Sequence, residues 1–143
     1  ATFYSTDGAE GAWVCRKASG GDWGVVAGDT GIRTITSGFD GAVTGTLRIA
    51  RTDSLVSLVA TELQANTTTG NAPLWAIPSG FRPYANPFRS LYGQAGNVPN
   101  KTLYTVSGTL YGAGVVASQT IQPIESQWYT SDPWPTTLPG SPS

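Results

Sequence analysis

Residues 46–63 read Thr-Leu-Arg-Ile-Ala-Arg-Thr-Asp-Ser-Leu-Val-Ser-Leu-Val-Ala-Thr-Glu-Leu. In the first part Leu47 and Ile49 fall on one side and Thr46, Arg48 and Ala50 on the other, the period of a half-buried strand. Thr52-Asp53 reads as a tight connection, and residues 55–63 resume as a β-branched apolar run. Leu55, Leu58, Val59 and Leu63 also share one face of a helix, so a helix is the rival reading of 55–63. The preceding strand and the nearby turn signals favour a β-hairpin.

Downstream, residues 74–83 read Leu-Trp-Ala-Ile-Pro-Ser-Gly-Phe-Arg-Pro. This is a short apolar strand that stops twice: Pro78 has no N–H to donate to a ladder, and Pro83 biases Arg82 away from helix. Ser79-Gly80 supplies a tight turn between them, and Phe81 returns a ring to apolar surroundings. The polar stretches 64–72 and 93–100 read as loops, the second with Gly96-Asn97 at its tip. Strands are expected at 88–92, at 101–106 and 109–112 around a Ser107-Gly108 turn, at 115–121 and at 127–130. Upstream, 2–4 and 32–36 are short strands and 37–45 a glycine-rich loop. Residues 12–18 and 23–27 form a plausible hairpin with Trp13 and Trp23 as its aromatic members.

The expected fold is therefore all-β, with turn signals every ~8–12 residues as in sandwiches and barrels. The reading is an antiparallel, jelly-roll-like β-sandwich head over residues 31–130. A small N-terminal β-hairpin module over 1–30 precedes it. The last segment, 131–143, carries Pro133, Pro135, Pro139 and Pro142 and reads as an extended tail.

Composition narrows the function. Charged residues make up 12% of 143, about half the usual share, and the net charge is −1. The scattered basic residues argue against nucleic acid as a partner. No apolar run approaches the ~18 residues that would insert into a membrane, and no secretory signal is visible. Cys15 is the only cysteine and there is no histidine, which excludes an internal disulfide, histidine-based triads and histidine metal sites. No metal or cofactor is expected.

Three stretches stand in a telling order: 45–59, Gly-Thr-Leu-Arg-Ile-Ala-Arg-Thr-Asp-Ser-Leu-Val-Ser-Leu-Val; 77–83, Ile-Pro-Ser-Gly-Phe-Arg-Pro; and 131–140, Ser-Asp-Pro-Trp-Pro-Thr-Thr-Leu-Pro-Gly. Together they resemble the C-terminal domain of minor tail proteins, or tail-fibre-like receptor-binding proteins, of tailed bacteriophages that infect actinobacteria. That pattern has "Leu-Pro-Ala-Gly-Phe-Arg-Pro" where this chain has Ile77 and Ser79. Residues 31–36 resemble the family's "Gly-Trp-Arg-Asp-hydrophobic" segment, with Ile32 for Trp and Thr34 for Asp. Residues 1–29 are similar to short trimeric fibre-shaft modules. The resemblance covers most of the chain. It implies a virion surface protein, extracellular, often a homotrimer, joined to other tail proteins through a shaft or neck, with its head facing a host-envelope glycan or cell-wall polymer. It implies no catalytic residues.

The residues themselves lead to a non-enzymatic reading. The nine acids mostly sit in turn sequences, where Asp caps its own backbone, and no motif selects a glycosidase pair among them. Cys15 reads as a packed strand residue. Indole and phenol rings suit a binding site, because a flat ring buries the apolar face of a sugar. Trp128, Tyr129 and Trp134 cluster near the C-terminus. Tyr84 and Tyr92, with Phe88 and Tyr104, flank the loops after residue 83. Arg82 is either a ligand contact or a guanidinium serving carbonyls at the sheet end. The rival readings are a purely structural virion part, such as a capsid decoration or tail-tip protein, and a polysaccharide depolymerase.

Overall fold

A computed structural model describes residues 2–7, 11–17, 21, 23–40, 43–65, 69–84, 91–95, 98–115, 120–121 and 124–143. These residues contain no helix. Their strands are β1 (Thr2–Asp7), β2 (Gly11–Lys17), β3 (Trp23–Asp29), β4 (Arg33–Ile35), β5 (Val43–Thr52), β6 (Leu55–Ala65), β7 (Thr69–Ala76), β8 (Leu91–Ala95), β9 (Val98–Val106), β10 (Thr109–Val115), β11 (Thr120–Ile121), β12 (Ile124–Tyr129) and β13 (Ser141–Pro142). They form two sheets, and the pairings are antiparallel. In the 9-stranded sheet the order runs β1-β2-β3-β5-β4-β13, with β6 pairing β5, β11 and β12. The 4-stranded sheet has the order β7-β10-β9-β8.

The hairpin of β5 and β6 is the centre of the larger sheet. Leu47 and Ile49 of β5 face Val56, Leu58 and Ala60 of β6, and all are buried. The alternation slips once, because the register shifts between Thr44 and Thr46. Opposite the slip, Glu62 takes a positive φ of 57°. That bulge turns Leu63, rather than Glu62, inward. The helical-looking spacing of 55–63 thus comes partly from a strand with one irregular step.

Leu74, Trp75 and Leu110 of the smaller sheet join the same buried cluster, with Ile77, Phe81 and Trp128. Asp40 N donates to Leu74 O at 2.8 Å, stitching the 37–40 segment to β7.

Several sequence readings need correction. Residues 64–72 are not a loop: β6 runs to Ala65 and β7 starts at Thr69, while 66–68 lie outside the described residues. Polar Thr69 and Asn71 pair with Val115 and Ala113 of β10, and β7 is the last strand of its sheet, its other flank met by the Phe39↔Trp75 bridge. The edge also tolerates Pro73, which sits opposite Tyr111 at a register shift. Residues 93–100 are mostly strand, in β8 and β9, and Gly96 and Asn97 lie outside the described residues. The strand expected at 88–92 starts at Leu91, with 88–90 outside the described residues. Val115 ends β10 rather than opening a new strand.

β1, β2 and β3 pair in sequence at one end of the larger sheet. They meet β5 through the single pair Asp29↔Thr52. Thr30 N donates to Arg51 O at 2.9 Å and Asp53 N to Gly28 O at 2.7 Å.

Candidate binding groove

The site begins with a buried arginine. Parity along β5 puts Arg51 on the same side as Leu47 and Ile49, and it is 6% exposed. A charge there needs partners for its donors. Arg51 Nε donates to Asp53 O at 2.6 Å. Nη1 donates to Gly80 O at 2.5 Å and Pro133 O at 3.0 Å, and Nη2 to Asp132 O at 3.1 Å. One planar fork therefore holds three segments: the β5–β6 turn, the turn at 78–81 and the C-terminal segment. Burial pulls the Arg51 pKa below its usual value, opposed by the charges of Asp132 and Asp53. Arginine starts so high that the group stays protonated near neutrality.

Asp132 completes the clamp. Its Oδ2 accepts from Gly80 N at 2.8 Å and from Arg82 N at 3.3 Å. The turn it grips is closed by Phe81 N donating to Pro78 O at 3.1 Å. Gly80 has φ 94°, the glycine position of a type II turn. Its missing side chain also admits Pro135, which would lie 2.7 Å from a Cβ there.

A second arginine repeats the device. Arg33 of β4 is 5% exposed and donates from Nε to Pro139 O and from Nη2 to Gly140 O, each at 3.0 Å. Beyond it β13 pairs with β4, and Ser143 N donates to Ile32 O at 3.1 Å. The proline-rich segment 131–143 is thus docked along its length. Prolines suit this role, since their carbonyls accept while they have no N–H to satisfy.

The docked segment and the β2–β3 pair form the walls of a groove of ≈ 840 Å³. Trp13, Trp23 and Val25 line one side and Trp134, Thr137 and Leu138 the other. Register explains the first wall: Trp13↔Gly28, Cys15↔Val25 and Lys17↔Trp23 are facing pairs, so Trp13, Trp23 and Val25 share a face. The Trp134 ring lies 4.7 Å from the Arg51 guanidinium carbon and 6.4 Å from the Trp13 ring, edge to face at 64°. Its outer carbons would come within 3.0 Å of a Cβ on Gly28, so only glycine leaves it this seat. Trp23 is half exposed. A second hollow of ≈ 410 Å³ lies between Trp134 and the Pro78-Ser79 turn.

Compared with protein families, curated proteins and solved structures, the chain matches none. What the site can do must come from its own geometry.

The candidate residues separate clearly. Trp134 lines the groove. Trp128 is a correction: it is 3% exposed and its Nε1 donates to Phe81 O at 2.7 Å, so its ring is a core element that no ligand can stack upon. Its neighbour Tyr129 points the other way along β12 and is 66% exposed. Tyr84 is equally exposed, and its N–H donates to Tyr129 O at 2.7 Å, so the two tyrosines lie on adjacent chain segments away from the groove's lining. Arg82 donates from Nε to Ile77 O at 3.2 Å, a carbonyl at the end of the sheet. Tyr92 stands opposite Thr102 in the β8–β9 pair, and its side chain lies outside the described residues, as do Phe88 and the side chain of Tyr104.

Sequence reasoning names Trp13 and Trp23 only as hairpin members, and does not single out Arg33 or Arg51. The signal for Arg51 is its parity with Leu47 and Ile49; a charge on the apolar side of a strand marks a buried anchor.

Proposed function

We propose that this chain is the attachment domain of a bacteriophage tail receptor-binding protein, holding the virion to a glycan of the host envelope without cleaving it. One observation carries the reading: three indoles from segments more than a hundred residues apart converge on a groove whose volume, ≈ 840 Å³, lies within the range of small-molecule sites. Low charge and the resemblance of residues 45–59, 77–83 and 131–140 to phage tail proteins support it. In this reading the strands of residues 31–130 form a jelly-roll-like sandwich head, residues 1–30, whose β1–β3 extend the larger sheet, serve as the neck, and the molecule works as a homotrimer beside other tail proteins. The ligand then sits where neck and C-terminal segment meet, rather than on the stretches 64–72 and 93–100.

The test is binding of the purified chain to host cell-wall polysaccharide, followed by tryptophan fluorescence, with its oligomeric state read by analytical ultracentrifugation. Saturable quenching in the parent, with binding weakened ~10-fold in Trp23→Ala when followed by calorimetry, is the expected result. Equal binding by that variant, or none by the parent, counts against the groove. The alternative is a purely structural virion part, which the burial of Trp128 and the arginine-held tail favour, since both explain aromatic residues without a ligand. Labelling the protein in intact virions separates the two by its position.

A further inference from the structure

We infer that the groove between β2–β3 and the C-terminal segment takes an uncharged, pyranose-based glycan rather than a polyanion. This rests on the attachment reading above and adds the chemical class of the ligand. Among the described lining residues two threonines bring hydroxyls and Arg33 a charge; three indoles, a valine, a leucine, two prolines and Gly24 make the rest. Arg33 is the single charged side chain among the described residues of the lining. It is almost wholly buried and its Nε and Nη2 are bound to Pro139 and Gly140 carbonyls. A phosphate or carboxylate entering here would give up water for indole faces and receive no comparable donor in return. A pyranose ring fits the same surface well. Its C–H face stacks on an indole, and its rim hydroxyls can reach hydroxyls such as those of Thr136 and Thr137. A furanose ring is smaller and puckered, and presents less flat C–H surface to an indole.

Outside the lining, Lys17 stands directly across from Trp23 on the same face and is exposed. It is the group a polyanion would use, and so provides the control.

The experiment titrates the full chain with three polymers: a neutral pyranan such as a β-glucan or mannan, a neutral furanan such as an arabinan, and a polyanion such as polyglycerol phosphate. Tryptophan fluorescence and calorimetry follow binding at low and at high salt. The expected result is binding of the pyranan that salt does not weaken, falling ~10-fold in Trp23→Ala and unchanged in Lys17→Gln. Because Trp23 is half exposed, that variant leaves the fold intact, which circular dichroism checks. Preference for the polyanion, with salt-sensitive binding that Lys17→Gln weakens, overturns the ligand class while leaving attachment standing. Preference for the furanan overturns the ring assignment. Failure to bind any of the three, or any host-wall extract, overturns the attachment reading and this inference with it.

Discussion

The guanidinium of Arg51 lies 4.7 Å from the centre of the Trp134 ring, between a sheet strand and a segment eighty residues further along the chain. The group stacks by its face and anchors by its edge, because the in-plane N–H groups of the same guanidinium donate to Asp132 and Pro133 carbonyls immediately before that tryptophan. Arginine alone can fill this place, since its fork is planar, stacks on aromatic rings and reaches several acceptors at once.

Arg51→Lys therefore cannot act as a conservative change. An ammonium offers a point charge where four carbonyls expect a plane. Unmatched buried carbonyls each cost ~1–3 kcal/mol. We expect Arg51→Lys to lose ~2 kcal/mol and Arg51→Ala more, measured as a lowered urea midpoint. The burial-lowered pKa means that Arg51 binds fewer protons folded than unfolded, so its own contribution to stability rises with pH, but only in the strongly alkaline range. Between mild acid and mild alkali it should add no slope.

Asp132 offers a separable test. Asp132→Asn keeps an oxygen for Gly80 N and Arg82 N but removes the charge facing Arg51. A loss of ~1 kcal/mol is expected, and ~2 kcal/mol for Asp132→Ala, which also orphans the Gly80 N–H. Equal losses in the two variants would mean that charge, not hydrogen bonding, is what Asp132 supplies.

How far these relationships can be read from the chain depends on their range. The β5–β6 hairpin is legible because alternation of Leu47, Ile49, Val56, Leu58 and Ala60 is a local signal. The bulge at Glu62 is not, since nothing in Thr61-Glu62-Leu63 announces a positive φ. Trp128 and Tyr129 can be parted by the period of two along β12, which puts one inside and the next outside. The polar edge strand β7 hides behind loop-like composition. The groove is out of reach, because Trp13 and Trp134 meet only after the tail docks, and docking is carried by main-chain carbonyls that every residue has.

Gly80→Ala probes the turn itself. The substitution meets two obstacles, a φ of 94° and Pro135 at 2.7 Å. Strain at such a φ costs ~1–3 kcal/mol before any clash is counted. We expect a loss at or above the upper end of that range by thermal unfolding, with a second-site Pro135→Gly, which removes both the Cβ and the Cδ that the new methyl would meet, restoring part of it. No rescue would mean that the backbone conformation alone is responsible.

Trp23 and Trp128 should behave as opposites. Trp128→Ala empties a buried site and leaves the Phe81 carbonyl without its donor, so a loss of ~3–5 kcal/mol is expected. Trp23→Ala removes a half-exposed ring and should change stability by less than ~1 kcal/mol while weakening glycan binding. A titration in which both variants lose binding but only in proportion to the fraction unfolded would remove the groove from consideration.

Deleting residues 139–143 tests whether the tail is structure or appendage. The deletion removes β13, two carbonyls that Arg33 uses and the bond from Ser143 N to Ile32 O. Arg33 would then be a buried cation deprived of two acceptors unless β4 moves to let water in. Either response costs stability, and we expect ~2–4 kcal/mol. The Arg51 clamp lies upstream and is untouched, so Trp134 should keep its seat on Gly28 and its near-ultraviolet circular dichroism signal. A stability loss with that signal retained places two independent fasteners on the segment. Loss of both together would mean that the two arginines hold it as one cooperative unit, and that the groove opens whenever the C-terminal strand detaches.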